Sequence, residues 1–174
     1  PEAAQSARPW LLGIGAPLAI GAAVYTAFLF GQAEGRDLWQ SPLLPLHLLV
    51  QAAFAGAAAV LVTGAVLPLG EGLVVAARWT LGVALVADLF VLLLGEVAMP
   101  HASEVAARAA HRITHGPYRW HFWGGSLVAG HLLPLVLLAL PAPAVGALAG
   151  LFVLVGLYLY EHAFVMAPQE IPNS

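Results

Sequence analysis

Five long apolar stretches constrain the fold of this chain more than any other feature of its sequence. A membrane-spanning helix needs about 20 predominantly apolar residues, because the hydrocarbon core of a bilayer is about 30 Å thick. The predicted spans cover about residues 10–30, 43–67, 73–97, 120–140 and 145–165. Alternating polar and apolar strands of about ten residues, typical of a membrane barrel, are missing. The sequence therefore predicts an all-α, polytopic transmembrane helical bundle of about five spans, forming a single membrane domain over residues 1–174.

The composition excludes several other classes of protein. Hydrophobic residues make up 61% of the chain and charged residues only 9%, whereas soluble domains carry about 25% charged residues. Such a chain cannot cover a water-facing surface with charge. The six basic residues are all Arg, too few for a nucleic-acid binder, so we expect no nucleic-acid partner. Cysteine is absent, so any iron–sulfur cluster must belong to a partner chain.

The arginine residues predict how the spans are oriented in the bilayer. One set of ends consists of the linkers after the first and third spans and the C-terminus, and it carries Arg36, Arg108, Arg112 and Arg119. The opposite set of ends carries only Arg8 and Arg78. Because basic residues concentrate on the cytoplasmic side, we expect the first set to be cytoplasmic. The chain does not begin with Met, and we interpret it as part of a longer subunit.

The long linker between the third and fourth spans predicts a short interfacial helix over residues 103–115. Ser103 is a suitable N-cap, and Gly116 followed by Pro117 would end the helix. His111 and His115 share one face at a spacing that suits a metal pair, but no third ligand is evident. We therefore expect no metal site here, and a helix that contacts lipid headgroups or a partner.

Two carboxylates in the third span are the leading functional candidates. Asp88 lies near the middle of the span and Glu96 near its end, about 12 Å apart along the axis and rotated by about 80°. They can line one interior seam at two depths, as the groups of a proton relay do. His47, or a water molecule, would have to connect them. Alternatively, Asp88 hydrogen-bonds a neighbouring helix and Glu96 reaches the headgroups.

Histidine and tyrosine side chains inside other spans add further candidates. His47 and Gln51 lie one turn apart on the second span, and His131 lies near the centre of the fourth. Each histidine alone is consistent with a satisfied core residue, a haem ligand or a proton carrier. Tyr25 lies inside the first span, where its hydroxyl needs a partner. That partner is either a quinone carbonyl or a backbone carbonyl of a neighbouring helix.

The order of short motifs resembles a known family. Tyr25-Thr26 is followed by Leu38-Trp39, by Pro42-Leu43-Leu44-Pro45, and by the small-residue stretch Phe54–Ala58; the later segment reads HGPYRWHFWGGSLVAGHLLPLVLL. This pattern is similar to that of the NrfD-like family, the membrane subunits of polysulfide reductase and related enzymes. Ala27 stands where that family favours Gly.

The resemblance implies a specific role. Members are haem-free, quinone-reactive membrane subunits that exchange electrons with an iron–sulfur subunit of the ferredoxin type, which serves a molybdopterin-type or related catalytic subunit. By this resemblance the chain binds menaquinone or ubiquinone, holds no haem or iron–sulfur cluster of its own, and lies with other membrane subunits in a bacterial inner membrane. Proton translocation is a further expectation. Tyr25 would lie at the edge of the quinone site.

Two other functions remain open on the sequence alone. A haem-b membrane cytochrome anchor needs histidines at matched depth on facing helices, and His47 with His131 would be the pair. A proton-coupled transporter subunit would use Asp88 and Glu96 to bind the coupled proton. Internal inverted repeats, common in transporters, are not evident among the five spans.

Overall fold

The computed structural model describes residues 2–172, and within them the chain is helical with no strand. The helices are α1 (Glu2–Gly31), α2 (Leu44–Gly64), α3 (Glu71–Leu93), α4 (Glu104–Thr114), α5 (Trp120–Leu138) and α6 (Pro143–Gln169). All except α4 are long and apolar enough to cross a membrane. The predicted all-α bundle with five spans is therefore confirmed.

Helices α2, α3, α5 and α6 pack into a bundle, and α1 lies at its edge. Only 6% of the apolar window of α1 is buried, against 28–39% for the other four spans. One apolar core joins α2 and α3 to α6 around Phe54, Leu81 and Val153. A second core lies towards the end where α4 sits, and it includes Ile113 and Phe164. The interior surfaces that concern function therefore belong to the four-helix bundle.

Two close crossings between helix backbones hold the bundle together. A Cβ atom added to Gly130 of α5 would lie 2.8 Å from the Cα of Gly156 on α6. A Cβ added to Gly150 of α6 would lie 2.8 Å from the carbonyl oxygen of Ala58 on α2. Small residues permit such approach in membranes, where packing rather than hydrophobic exclusion drives helix association. These crossings place α6 against α5 on one side and against α2 on the other.

The segments predicted to share one side of the membrane meet at one end of the bundle. The Arg36 guanidinium, in the linker after α1, donates to the carbonyls of Pro168 (3.0 Å) and Ile171 (2.9 Å) after α6. Asp37 accepts a hydrogen bond from Ser103, which joins that linker to the one after α3. At the opposite end Arg78 donates to the carbonyl of Leu138 at 2.9 Å, where α5 ends.

Helix α4 closes the end of the bundle instead of lying free. Ser103 caps it as predicted, because its hydroxyl accepts a hydrogen bond from the Ala106 amide at 3.1 Å. The apolar face of α4, including Val105, Ala109 and Ile113, is buried in the second core. This face is therefore already covered by the chain itself. Lipid or a partner can contact only the polar face.

Two stretches of π-helix interrupt the spans, and the sequence did not predict them. The end of α3 continues as a π-helical turn over Leu94–Ala98, and α5 is π-helical over Trp120–Leu132. A π-helix bonds each carbonyl to the amide five residues later and is often found at functional sites. Apolar periodicity cannot distinguish this register from an α-helix in a span that is apolar on every side.

Candidate functional site

Asp88 lies in the middle of the bundle between two imidazole rings. Its carboxylate is 1% exposed. The Oδ2 atom lies 2.9 Å from Nε2 of His131 on α5, and the Oδ1 atom lies 3.1 Å from Nε2 of His47 on α2. Both histidines are buried as well. A buried carboxylate requires such partners, because desolvation of an unpaired charge is costly.

Each histidine is held by a polar group of its own helix. Gln51 lies one turn after His47 and its Nε2 atom is 3.2 Å from Nε2 of that ring, as their shared face predicted. His131 places its Nδ1 atom 2.8 Å from the carbonyl oxygen of Ser126, five residues earlier. Five residues is the spacing that the π-helical register brings into line. The π-helix therefore contributes to the orientation of His131.

Glu96 is connected to this cluster through Tyr160. The Tyr160 hydroxyl on α6 donates to Oε1 of Glu96 at 3.2 Å, and the Tyr160 ring lies 5.2 Å from the His47 ring, centroid to centroid. Tyr160 is 2% exposed. The order of contacts is thus Glu96, Tyr160, His47, Asp88 and His131. We refer to these five residues as the acid–imidazole chain.

A cavity of about 420 Å³ lies between the acid–imidazole chain and the two linkers that close the bundle. His47, Glu96 and Tyr160 form its polar inner wall, and Leu44, Val91, Leu92 and Phe164 are among its apolar residues. Asp37, Gln40, Ser41, His101 and Ser103 line it on the linker side. Its size falls within the range of about 300–1,000 Å³ typical of small-molecule sites.

Two carboxylate oxygens of the acid–imidazole chain have no hydrogen-bond partner. These are Oδ1 of Asp88 and Oε2 of Glu96, and both are buried. The His47 ring approaches Asp88 Oδ1 to 3.1 Å but is hydrogen-bonded to Gln51 instead. An unsatisfied buried acceptor costs about 1–3 kcal/mol, so each oxygen is a place where a proton or a donor binds favourably.

A comparison with known families agrees with the resemblance that the sequence motifs indicate. The sequence matches the family described as Polysulphide reductase, NrfD, over residues 2–172. The chain belongs to this family. It is therefore a multi-pass membrane subunit of a respiratory oxidoreductase complex, in which it associates with other subunits. Searches of the curated proteins and of the solved structures give no match.

The structure brings together most of the site residues that the sequence of this NrfD-family chain predicted. His47 contacts Asp88 directly, and Glu96 joins them through Tyr160. Tyr25 is elsewhere: its side chain is 59% exposed on α1, and the cavity is not lined by it. Its role as a quinone contact stays a prediction.

The sequence alone did not connect His131 or Tyr160 with the two carboxylates. It marks His131 as a central histidine and as the haem partner of His47, and it gives Tyr160 no role in a site. The sequence feature that could have identified them is an ionisable or hydroxyl group inside a span. Such a group is costly in lipid and therefore indicates the interior of the bundle. Which carboxylate each one meets depends on helix rotation, which a single sequence does not reveal.

The two histidine pairs are not arranged as haem or metal binding would need. His47 and His131 both direct Nε2 at Asp88, so an iron between them would have to displace that carboxylate. The rings of His111 and His115 stack with centroids 5.0 Å apart. Across residues 2–172, no group of three or more His, Cys, Asp or Glu is placed to hold a metal ion. The absence of a metal stays a prediction.

A separate polar cluster fixes the end of α6 in the NrfD-family fold. Tyr118 donates to Oε1 of Glu170 at 2.6 Å, and Arg112 of α4 donates to Oε2. Burial and the nearby Glu170 carboxylate raise the pKa of Tyr118. The hydrogen bond from Tyr118 and the charge of Arg112 lower the pKa of Glu170. The cluster ties α4, the linker before α5 and the C-terminal segment together.

Proposed function

We propose that this NrfD-family subunit is the quinone-linked membrane anchor of its complex. It passes electrons between a menaquinone or ubiquinone pool and a ferredoxin-like iron–sulfur partner, which serves a molybdopterin-type or related catalytic subunit, in a bacterial inner membrane. The observation that carries this proposal is the acid–imidazole chain, which runs from a cavity of ligand size to a carboxylate in the bundle centre.

The cavity has the properties that a quinone ring requires. Most of its wall is apolar, while His47, Glu96 and Tyr160 supply polar groups on the inner side and further polar residues lie on the linker side. Such a combination is typical of sites for small, largely apolar ligands. Oε2 of Glu96 is buried and lacks a donor. A hydroxyl group of the reduced ligand would satisfy it.

The residues of the acid–imidazole chain have different roles in proton exchange. A bound quinone supplies two-electron, two-proton redox chemistry. Glu96 exchanges a proton at the cavity, and the Tyr160 hydroxyl on its Oε1 orients it. His47 lines the same cavity and contacts Asp88, so it connects the cavity with the bundle centre. Water in the cavity can bridge Glu96 and His47, since both face it.

Tyr25 represents a second, outer contact with quinone. It lies on the exposed face of α1, so any quinone that it touches would be in the lipid or against another membrane subunit. The cavity and Tyr25 are therefore separate positions, not parts of one pocket. We propose that the cavity is where protons are exchanged and that Tyr25 borders the approach.

A photoreactive quinone analogue tests this function in the assembled complex. We expect label on peptides that line the cavity, and loss of that label when natural quinone is added in excess. Glu96→Gln should lower quinone turnover by about a hundredfold or more, the lower end of the range for a general acid–base group. Glu34→Gln, an exposed carboxylate in the linker after α1, is the control and should leave turnover unchanged.

Two results would contradict the proposal. One is full quinone turnover in an assembled Glu96→Gln complex. The other is a Soret band that travels with this chain, which would assign it to the haem cytochromes. Proton flux through liposomes that contain the chain but no quinone would instead favour the transporter function, because that activity requires only the acid–imidazole chain.

A further inference from the structure

The hydrogen bonds of His131 have a consequence for where a proton can go. Nδ1 of His131 faces the Ser126 carbonyl oxygen at 2.8 Å. A carbonyl oxygen only accepts, so Nδ1 must carry a proton. Nε2 is the ring atom that faces Asp88, at 2.9 Å. The Nε2–Oδ2 contact must therefore also contain a proton, either on the ring or on the carboxyl group.

The geometry points to Asp88 and His131 as a proton-storing pair, in which His131 is the end of the route and not a step across the membrane. This inference rests on the proposed function, in which protons move along the acid–imidazole chain. It identifies the residue at which that route ends. A backbone carbonyl cannot take up a proton from Nδ1. A proton that reaches His131 can therefore leave only through Asp88, by the way it came.

Loading the pair needs only residues that are already in contact. Once Nε2 of His47 is free of Gln51 and protonated, its proton passes to Oδ1 of Asp88, which has no aligned donor in the structure. The N–H bond of His47 breaks and an O–H bond forms at Oδ1. With the shared proton initially on Oδ2, the O–H bond at Oδ2 breaks as an N–H bond forms at Nε2 of His131. His47 becomes neutral and His131 becomes an imidazolium beside the restored carboxyl group.

Gln51 controls whether His47 can deliver that proton. In the structure Gln51 holds Nε2 of His47 at 3.2 Å, and the same atom has no aligned hydrogen bond to Asp88 although it is 3.1 Å away. The ring must turn from Gln51 towards Oδ1 before transfer. In the arrangement that the structure shows, Nε2 of His47 accepts from the Gln51 amide and carries no proton to transfer.

The electrostatic surroundings favour storage of a single proton. Among residues 2–172, His47 and His131 are the ionisable groups in direct contact with Asp88, and the acidic groups of Tyr160 and Glu161 interact with it at longer range. Further out, Glu96, Tyr160 and Glu161 of α3 and α6 face His47. The pair therefore has no basic side chain other than the two imidazoles. Ionised acidic groups near the pair favour an added positive charge there.

Nitrogen-15 solid-state NMR on the assembled complex in lipid tests the pair. With ¹⁵N in the histidine rings and ¹³C in the Ser126 carbonyl, the short distance between Nδ1 and that carbonyl identifies His131 without a variant. We expect Nδ1 to be protonated in every state, and both ring nitrogens to be protonated when the complex is equilibrated at low pH. An unprotonated Nδ1 in any state would overturn the assignment.

A pH-jump measurement of proton uptake tests the terminus and needs no quinone. His131→Gln should reduce proton uptake per complex by the one proton that the pair stores. Ser126→Ala keeps the backbone carbonyl and should match the parent protein. Gln51→Leu should speed uptake because it releases His47. Equal uptake in parent and His131→Gln, both assembled, would disprove storage. Failure of quinone turnover with normal uptake would contradict only the proposed function.

Discussion

Asp88 is the residue on which the interior of the bundle depends most. It is a fully buried acid whose two oxygens lie within 3.1 Å of two imidazoles. Burial of a lone carboxylate would be strongly unfavourable, and removal of one partner from a buried pair costs about 3–5 kcal/mol. The two histidines therefore make the acid tolerable in the membrane and at the same time give it partners for proton exchange.

Replacing Asp88 by Asn separates packing from proton transfer. Asn keeps the size and much of the hydrogen bonding but cannot titrate. We expect the Asp88→Asn complex to assemble at the parent level and to lose about tenfold or more of its quinone-coupled turnover, as expected for loss of a proton-transfer group. Subunit content and turnover measured on the same preparation check this. Normal turnover in a fully assembled variant would show that Asp88 only packs.

At the scale of elements, α5 and α6 cross with their backbones in close contact at two glycines. An added Cβ at Gly156 would lie 2.3 Å from the Cα of Gly130, a distance that no backbone can accommodate without moving. The crossing also fixes α5 in the register that carries His131, next to Gly130 in sequence. Packing and site geometry are therefore coupled at this point.

Gly156→Ala should destabilise the bundle and disturb the site together. Overpacking costs about 1–3 kcal/mol in a close-packed interior, so we expect a lower midpoint of thermal unfolding in detergent. Gly56→Ala is the matched control, because nothing lies within 4 Å of the added Cβ at that position of α2. It should unfold at the parent temperature. An unchanged midpoint for Gly156→Ala would mean that the helices separate easily at this crossing.

The cluster at the end of α6 should make that end sensitive to acid. The pKa of Glu170 is lowered in the folded protein by Tyr118 and Arg112, so its stabilising effect is present above the unfolded pKa and is lost as pH falls through the folded pKa. Glu170→Gln should therefore increase amide hydrogen exchange at the end of α6 near neutral pH. At a pH below the lowered pKa of Glu170 in the folded protein, the parent and the variant should exchange alike.

Two controls belong to this measurement. Tyr118 has a raised pKa, so its own contribution is present below about pH 10 and does not interfere in the acid range. Exchange in α2, which lacks contact with Glu170, should be the same in both proteins. A difference between parent and variant that persists undiminished at low pH would contradict the ionic origin of the effect.

At the scale of the whole molecule, the linkers and the C-terminus define one closed end and the two short turns define the other. Arg36 and Asp37 join the linker after α1 to the C-terminal segment and to Ser103, respectively. Arg78 holds the end of α5 on the opposite side. The cavity lies beside the closed end. The arginine distribution predicts that this end is cytoplasmic.

Single cysteines can test this orientation directly, because the chain has none of its own. Ala142→Cys lies in the turn between α5 and α6, and Ala107→Cys lies on the exposed face of α4. We expect a membrane-impermeant thiol reagent applied from the cytoplasmic side to label Ala107→Cys and not Ala142→Cys. The reverse pattern would place the cavity and the acid–imidazole chain on the other side of the membrane.

The sequence by itself determined the number of spans, the capping of α4 and the family. These features depend on local quantities: the length of apolar runs, a single capping residue and the order of short motifs. It also placed His47 beside Gln51, since residues four apart on a helix share a face. Tyr25, Asp88 and Glu96 could be selected as candidates because polar groups inside apolar spans are costly and few.

Only the tertiary structure decided which of these groups meet. His131 reaches Asp88 across 43 residues of sequence and Tyr160 reaches Glu96 across 64, and no local pattern encodes the rotation of one span against another. The π-helical register of α5 also escaped the sequence, because a helix apolar on every side shows no periodicity. Contacts between distant helices arise from close packing at glycines, so the acid–imidazole chain becomes visible only when the bundle is assembled.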